Sequence, residues 1–273
     1  MGLHLVLEIR HELFQGNNVK NGIHASFLTR VKNKFLSRGV NGDGFPVEAT
    51  RIDRSIVEQV RSYSMTSDAR LWMLLRSVEY LVTNRVPGHF VECGVWQGGS
   101  MMAVAKKLDS MNDHTRELWL YDTFSGMTDP SDLDVESHSG RSAMELLAES
   151  DIKNARGVWA YSTYEDVCAN MMKTGYPSEK LRFIKGKVEE TLKHHVPDQI
   201  ALLRLDTDWY ESTRAELEIL YDKLVMNGVC IIDDYGHWEG ARRALDEFVS
   251  KLDHAPLLVP IDYTGRMFIK TFS

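Results

Sequence analysis

Residues 202–213 read LLRLDTDWYEST, an apolar run that ends abruptly in two aspartates, Asp206 and Asp208. A short apolar run stopped by acid predicts a buried strand. Beyond it, Thr213-x-x-Glu216 reads as a capping box opening a helix that carries Leu217, Leu220, Tyr221 and Leu224. The pattern returns at 229–238, VCIIDDYGHW, where a second apolar run ends at Asp233 and Asp234. Strand, acid, helix, then strand and acid again is the rhythm of a parallel sheet.

The same alternation continues in both directions. Upstream, HFVECG (89–94) reads as a first strand and residues 100–108 as a helix. ELWLYD (117–122) and LRFIKG (181–186) read as two further strands. Downstream, Ala241, Ala244, Leu245, Phe248, Val249 and Leu252 mark another helix, and LLVPI with GRMFIKTF an antiparallel hairpin. Strands alternating with helices predict an α/β fold, a mostly parallel sheet covered on both faces. Ahead of it, Leu71, Leu74, Leu75, Val78, Leu81 and Val82 recur at helical spacing, with Asp68 as the expected cap and Pro87-Gly88 as the stop. Residues 1–50 show weak periodicity, and VNGDGFP (40–46) is rich in turn formers, so an arm over 1–87 ahead of a domain over 88–273 is expected. Nearly sixty residues separate Asp122 from Leu181. So long a connection predicts a lid, over about 124–178.

Composition narrows the chemistry. The chain has 273 residues, 43% hydrophobic and 26% charged, as in ordinary globular proteins. A formal charge of -7 argues against binding a nucleic-acid backbone. Cys93, Cys168 and Cys230 are odd in number and widely spaced, which predicts free thiols in a reducing compartment. The N-terminal run LHLVLEI is broken by His4 and Glu8 and predicts neither a signal peptide nor a membrane span. A cytoplasmic protein is expected.

In open α/β sheets, ligands bind beyond the carboxyl ends of the strands. There the first strand leads into VECGVWQGGS, a turn with Gly94, Gly98 and Gly99. Trp96 stands where the dinucleotide fingerprint has its second glycine, which disfavours a pyrophosphate. A preceding acid, Glu92, suits a cationic cofactor such as S-adenosylmethionine. Asp122, ending the second strand, is placed to accept from ribose hydroxyls. Asp206, Asp233 and Asp234 converge at one rim, where like charges repel unless a cation sits among them. A hard ion such as Mg²⁺ takes such ligands. Asp208 lies close enough to take a proton from a metal-bound hydroxyl, and His237 is the competing base.

Together VECGVWQGGS, YDTFSGM, GKVEETL, LRLDTDWYEST and IIDDYGHWEGARRA resemble the macrocin O-methyltransferase family over about 71–268. The resemblance implies a class I methyltransferase (Rossmann-like) fold, a seven-stranded sheet ending in an antiparallel hairpin. It implies S-adenosylmethionine and Mg²⁺ as cofactors and a sugar hydroxyl of a glycosylated natural product as acceptor, a small-molecule glycoside. It carries over Asp206, Asp233 and Asp234 as metal ligands and Asp208 as general base. It also carries over Glu92, Gly94, Asp122 and the loop of Ser125 as cofactor contacts. The unmatched N-terminal arm leaves room for a homo-oligomer. Two other readings stand beside it. One is a metal-dependent glycosyltransferase, because Asp206-Thr207-Asp208 resembles a D-x-D motif; the VECGVWQGGS turn and the Asp233-Asp234 pair argue against it, as do acidic rims where a diphosphate would want basic residues. The other is a non-catalytic scaffold, which has no use for so costly an acid cluster.

Overall fold

The computed structural model describes residues 45–154 and 156–272. The expectations for the first 44 residues, the arm and most of the VNGDGFP turn, lie outside them. Ala49–Ser273 forms one compact unit. The helices expected to belong to an arm ending at residue 87 therefore fold with the sheet. Helix α1 (Arg51–Val60) opens on a capping box between Thr50 and Asp53. Helix α2 (Asp68–Thr83) is capped by Ser67, whose hydroxyl accepts from the Arg70 amide, so Asp68 is its first residue and not its cap. Lys107 explains why both helices stay with the sheet. Its ammonium, nearly buried on α3 (Gly99–Ser110), lies 2.8 Å from both Asp53 of α1 and Glu79 of α2.

Seven strands form one sheet in the order β3-β2-β1-β4-β5-β7-β6. They are β1 (His89–Cys93), β2 (Leu118–Asp122), β3 (Leu181–Lys185), β4 (Ile200–Leu205), β5 (Leu224–Ile232), β6 (Val259–Pro260) and β7 (Arg266–Ile269). The first five pair in parallel, while β7 runs antiparallel to both β5 and β6. The expected hairpin is present, and its second strand inserts between β5 and the edge. Every residue of β4 is buried, as a central parallel strand requires. Cys93 and Cys230 are buried free thiols of this core, beside Val91, Leu203, Leu205 and Phe268. Strand order reverses at β1, between β2 and β4, and the crevice there is where such sheets take ligands.

The long connection after β2 folds onto the sheet. It carries helices α4 (Ala143–Glu149) and α5 (Tyr164–Met172). Ala143 and Leu147 pack against Trp209, Trp238 and Ala241 in a satellite cluster. Asp134, fully buried, accepts from the Tyr210 amide at 2.7 Å. That carboxylate sits at the start of α7 (Tyr210–Leu220), the helix after β4. It answers an orphan amide from a distant segment. The helix therefore begins three residues before the capping box read from sequence. Thr213 and Glu216 lie buried inside it. Short helix α6 (Val188–Thr191) follows β3, and α8 (Glu239–Val249) follows β5.

Candidate active site

A cavity of about 360 Å³ opens at the carboxyl ends of β1, β2, β4 and β5. This is within the range of small-molecule sites. One wall is the glycine turn. Gly94 has φ +80°, and a Cβ there would run into the carbonyl oxygen of Asp206. The tips of β1 and β4 thus touch at a position that only glycine fills. At Gly99 a Cβ would collide with the Tyr63 carbonyl, so the start of α3 lies against the loop before α2.

Asp122 closes this wall. The amides of Val95 and Trp96 donate to its Oδ2 at 2.7 and 3.2 Å, and the Phe124 amide donates to Oδ1 at 2.7 Å. Burial raises its pKa while those amides pull it back. The acid thus fixes the shape of the glycine turn and lines the cavity at the same time.

The opposite wall is acidic. Asp206, Asp208, Asp233 and Asp234 all line the cavity. One carboxylate oxygen each from Asp206, Asp208 and Asp234 lies within 4.8 Å of the others. Asp233 is engaged differently. Arg204 Nη2 donates to its Oδ1 at 2.5 Å, and Arg70 Nη1 donates to its Oδ2. Arg204 sits buried near the carboxyl end of β4 and also pairs with Glu92 and, at 2.6 Å, with Asp206. Part of the cation expected among these acids is therefore the protein's own.

The arginines do not neutralise everything. Burial holds Asp206 and Asp234 well above the usual carboxylate range, and their acidic neighbours push the same way. Burial likewise raises Asp208 to about 7, against a hydrogen bond with Asp234. Asp234 Oδ2 is buried without a partner among the described residues. Asp208 has φ +69°, a left-handed conformation that a non-glycine residue holds only when its surroundings insist. The surroundings do: the Trp209 amide donates to the Thr207 carbonyl at 2.8 Å, and the Thr207 hydroxyl donates to buried Glu216 at 2.9 Å. His237 also faces the cavity, with Nδ1 3.1 Å from the Tyr263 hydroxyl and Nε2 3.6 Å from Glu136. Burial lowers its pKa, so the neutral ring is favoured.

Of the nine residues singled out from sequence, Gly94, Asp122, Asp206, Asp208, Asp233, Asp234 and His237 line one cavity. Two do not. Glu92 is fully buried behind the wall and paired with Arg204. Burial pushes it up to about 7, against the pull of Arg204. Ser125 is exposed and off the lining, its amide donating to Thr123 Oγ1 at 3.1 Å. Trp209 and Trp238 pack together in the satellite cluster, and Trp238 also joins Tyr63, Trp96 and Tyr263 in the aromatic lining of the cavity. Arg70 and Arg204 were missed, although an arginine inside the apolar run LLRLD was a legible signal of buried carboxylates.

Comparison with known proteins agrees with this geometry. The family model described as macrocin-O-methyltransferase (TylF) matches residues 43–270. Demethyldecarbamoylnovobiocin O-methyltransferase of Streptomyces niveus is 32% identical over 210 residues, 77% of this chain and 76% of its own. An 8-demethyl-8-(2,3-dimethoxy-alpha-L-rhamnosyl)-tetracenomycin-C 4'-O-methyltransferase of Streptomyces olivaceus is 33% identical, over 75% of this chain and 74% of its own. Among solved structures, the O-methyltransferase NovP superposes with a TM-score of 0.67 at 30% identity, covering 77% of this chain and 83% of that one. The calicheamicin methyltransferase CalS11 shares the fold, with a TM-score of 0.52 at 20% identity over 93% and 97% of the two chains.

Proposed function

Because this chain belongs to the macrocin O-methyltransferase family, and is an O-methyltransferase, we propose that it methylates a sugar hydroxyl of a glycosylated natural product, using S-adenosylmethionine and Mg²⁺. The observation that carries this reading is that one cavity joins the β1 glycine turn and Asp122 to the acidic rim of β4 and β5. The acceptor class follows the relatives, whose names include methylation of a rhamnosyl group and of mycinamicin III.

The rim suits a divalent cation by its donors. All are hard carboxylate oxygens, Asp234 Oδ2 is buried and has no partner among the described residues, and burial holds Asp206 and Asp234 well above their ordinary range. Asp206 and Asp234 would hold the ion. Asp233, the third ligand by family resemblance, would join them where Arg70 releases its Oδ2. Bound there, the ion would lower the pKa of a neighbouring sugar hydroxyl.

S-adenosylmethionine, bound at the glycine turn, supplies an electrophilic methyl on a sulfonium. The work of the protein is to align that methyl with the acceptor oxygen in a dry site. Asp122 and the turn it fixes hold the donor, and the insertion after β2 covers it. Asp208 takes the acceptor proton as the O–CH₃ bond forms and the C–S bond breaks, with the electron pair leaving on sulfur. A carboxylate raised to about 7 is well matched to accept a proton near neutrality. His237, uncharged, is the second group able to take it.

Calorimetry against S-adenosylhomocysteine and against UDP-sugars tests the donor. Binding of the first alone is expected, and binding of UDP-sugars alone would move the protein to glycosyl transfer. Turnover on deoxysugar glycosides, lost with EDTA and restored by Mg²⁺, tests the ion.

A further inference from the structure

Asp233 is held from two sides, and the two arginines are not equivalent. Arg204 holds Oδ1 from within the core and is 3% exposed, while Arg70 holds Oδ2 from the cavity wall and is 13% exposed. Arg204 is committed. It also binds Glu92, Asp206 and, at 3.0 Å, the Thr66 hydroxyl, so moving it would strand a buried guanidinium and two buried acids.

Arg70 has somewhere else to be. Its Nε lies 3.0 Å from Asp262 Oδ2. Asp262 is itself fixed by the Ser67 hydroxyl at 2.7 Å and by the amides of Thr264 and Gly265 at 3.0 and 2.8 Å. Arg70 can therefore leave Asp233 and remain paired. The oxygen it covers belongs to the same rim as the unpartnered Asp234 Oδ2 and the close group Asp206, Asp208 and Asp234.

We propose that Arg70 is the displaceable counter-ion of this rim: it covers Asp233 until a divalent cation takes its place, and it then rests on Asp262. The inference builds on the divalent-cation reading above. It makes Arg70 a positioning residue that sets how readily the rim loads, because the guanidinium and the ion compete for one carboxylate oxygen. It also ties loading to the loop before β7. That loop holds Asp262 as the alternative seat, Tyr263 in the cavity wall, and Thr264, whose hydroxyl donates to the Asp233 carbonyl at 2.8 Å.

The test is Mn²⁺ titration of the full-length protein, followed by electron paramagnetic resonance of the free ion, with no acceptor required. Arg70→Gln removes the competitor and is expected to bind Mn²⁺ roughly tenfold tighter than wild type, a modest share of the coulombic interaction between close charges. Asp262→Asn removes the alternative seat, so Arg70 stays on Asp233 and Mn²⁺ binds about threefold more weakly, within typical coupling energies. Adding Asp262→Asn to Arg70→Gln should change nothing further, since the effect passes through Arg70. Binding of S-adenosylhomocysteine within about threefold of wild type in each variant, a margin below one tenfold step of affinity, shows that the site still folds. Equal or weaker Mn²⁺ binding by Arg70→Gln overturns the inference, as do tighter binding by Asp262→Asn or additive effects in the double variant. Those results leave the divalent reading standing. A wild-type protein that binds no Mn²⁺ removes both.

Discussion

On the β1–β2 side of the cavity, Asp122 accepts from three backbone amides at 2.7 to 3.2 Å; on the β4–β5 side, Asp234 Oδ2 is buried without a partner among the described residues. The first carboxylate is satisfied by the fold itself. The second is raised well above its usual range because burial and neighbouring acids act on it together. A wall completed by its own backbone is shaped before any ligand arrives. A wall with uncompensated acid is stabilised by what it binds. Under the assignment proposed above, the donor wall is preorganised at Asp122, and the acidic rim is finished by its ligands.

The largest expected effect separates the halves at Asp208. Asp208→Asn should lower kcat by roughly 10²- to 10⁴-fold, the usual contribution of a general base, while calorimetry finds S-adenosylhomocysteine binding unchanged. A matching loss in His237→Gln with Asp208→Asn active would assign the proton to the histidine. Weakened cofactor binding in Asp208→Asn would mean that the two halves are one coupled unit.

The seam between the halves is Gly94. Any side chain there meets the Asp206 carbonyl and must also adopt φ +80°. Gly94→Ala should cost about 1–3 kcal/mol from the backbone conformation alone, with the collision added, read as a lowered Tm. It should damage both cofactor and divalent binding, unlike any change confined to one wall. Asp122→Ala belongs to one wall. It leaves the amides of Val95, Trp96 and Phe124 without their acceptor, at about 1–3 kcal/mol for each group kept from water. Its cofactor affinity should fall while Mn²⁺ binding persists.

What was legible in the sequence follows the same division. Strand ends and the glycine turn are local patterns, and the alternation of apolar runs placed β1 to β5 and the hairpin close to where they lie. The pairing of charges is not local. Glu92 sits next to Cys93 in the chain but answers Arg204, 112 residues away, through the β1–β4 register. Asp134 caps α7 from 76 residues upstream, which is why Thr213 and Glu216 only mimic a capping box. Ser67 took the cap expected of Asp68 because a serine one residue earlier offers its oxygen to the Arg70 amide.

Titration offers a smaller effect with a definite sign. Asp208 is raised from 3.8 to about 7, so its protonated form is favoured in the fold. As a base it works ionised; in the cation-free protein its ionised fraction rises with pH through about 7, and a bound divalent cation shifts that rise, and the kcat profile with it, to lower pH. The stability of the cation-free protein runs the other way. A raised carboxyl contributes stability below its unfolded value and loses it as pH climbs through the folded one. Tm should therefore fall between about pH 4 and 7, and Asp208→Asn should flatten part of that slope. A kcat profile unchanged in Asp208→Asn would dissociate the raised carboxyl from the proton transfer.

The smallest effect is expected where sequence and structure part company on the donor side. Ser125 lies in YDTFSGM beside residues that do line the cavity, but it is exposed, and its amide donates to the Thr123 hydroxyl. Thr123 in turn donates to the Gly126 carbonyl at 2.6 Å, closing the loop by itself. Ser125→Ala removes a hydroxyl that takes no part in this loop and should leave cofactor affinity within about twofold, the scale of ordinary surface substitutions. Thr123→Val keeps the side chain's shape but removes the hydroxyl's contacts with Ser125, Gly126 and Asp122, and it should weaken cofactor binding more than Ser125→Ala. The reverse order would mean that the loop reshapes around the bound cofactor, and the donor wall would then share the dependence on its ligand that sets the acidic rim apart.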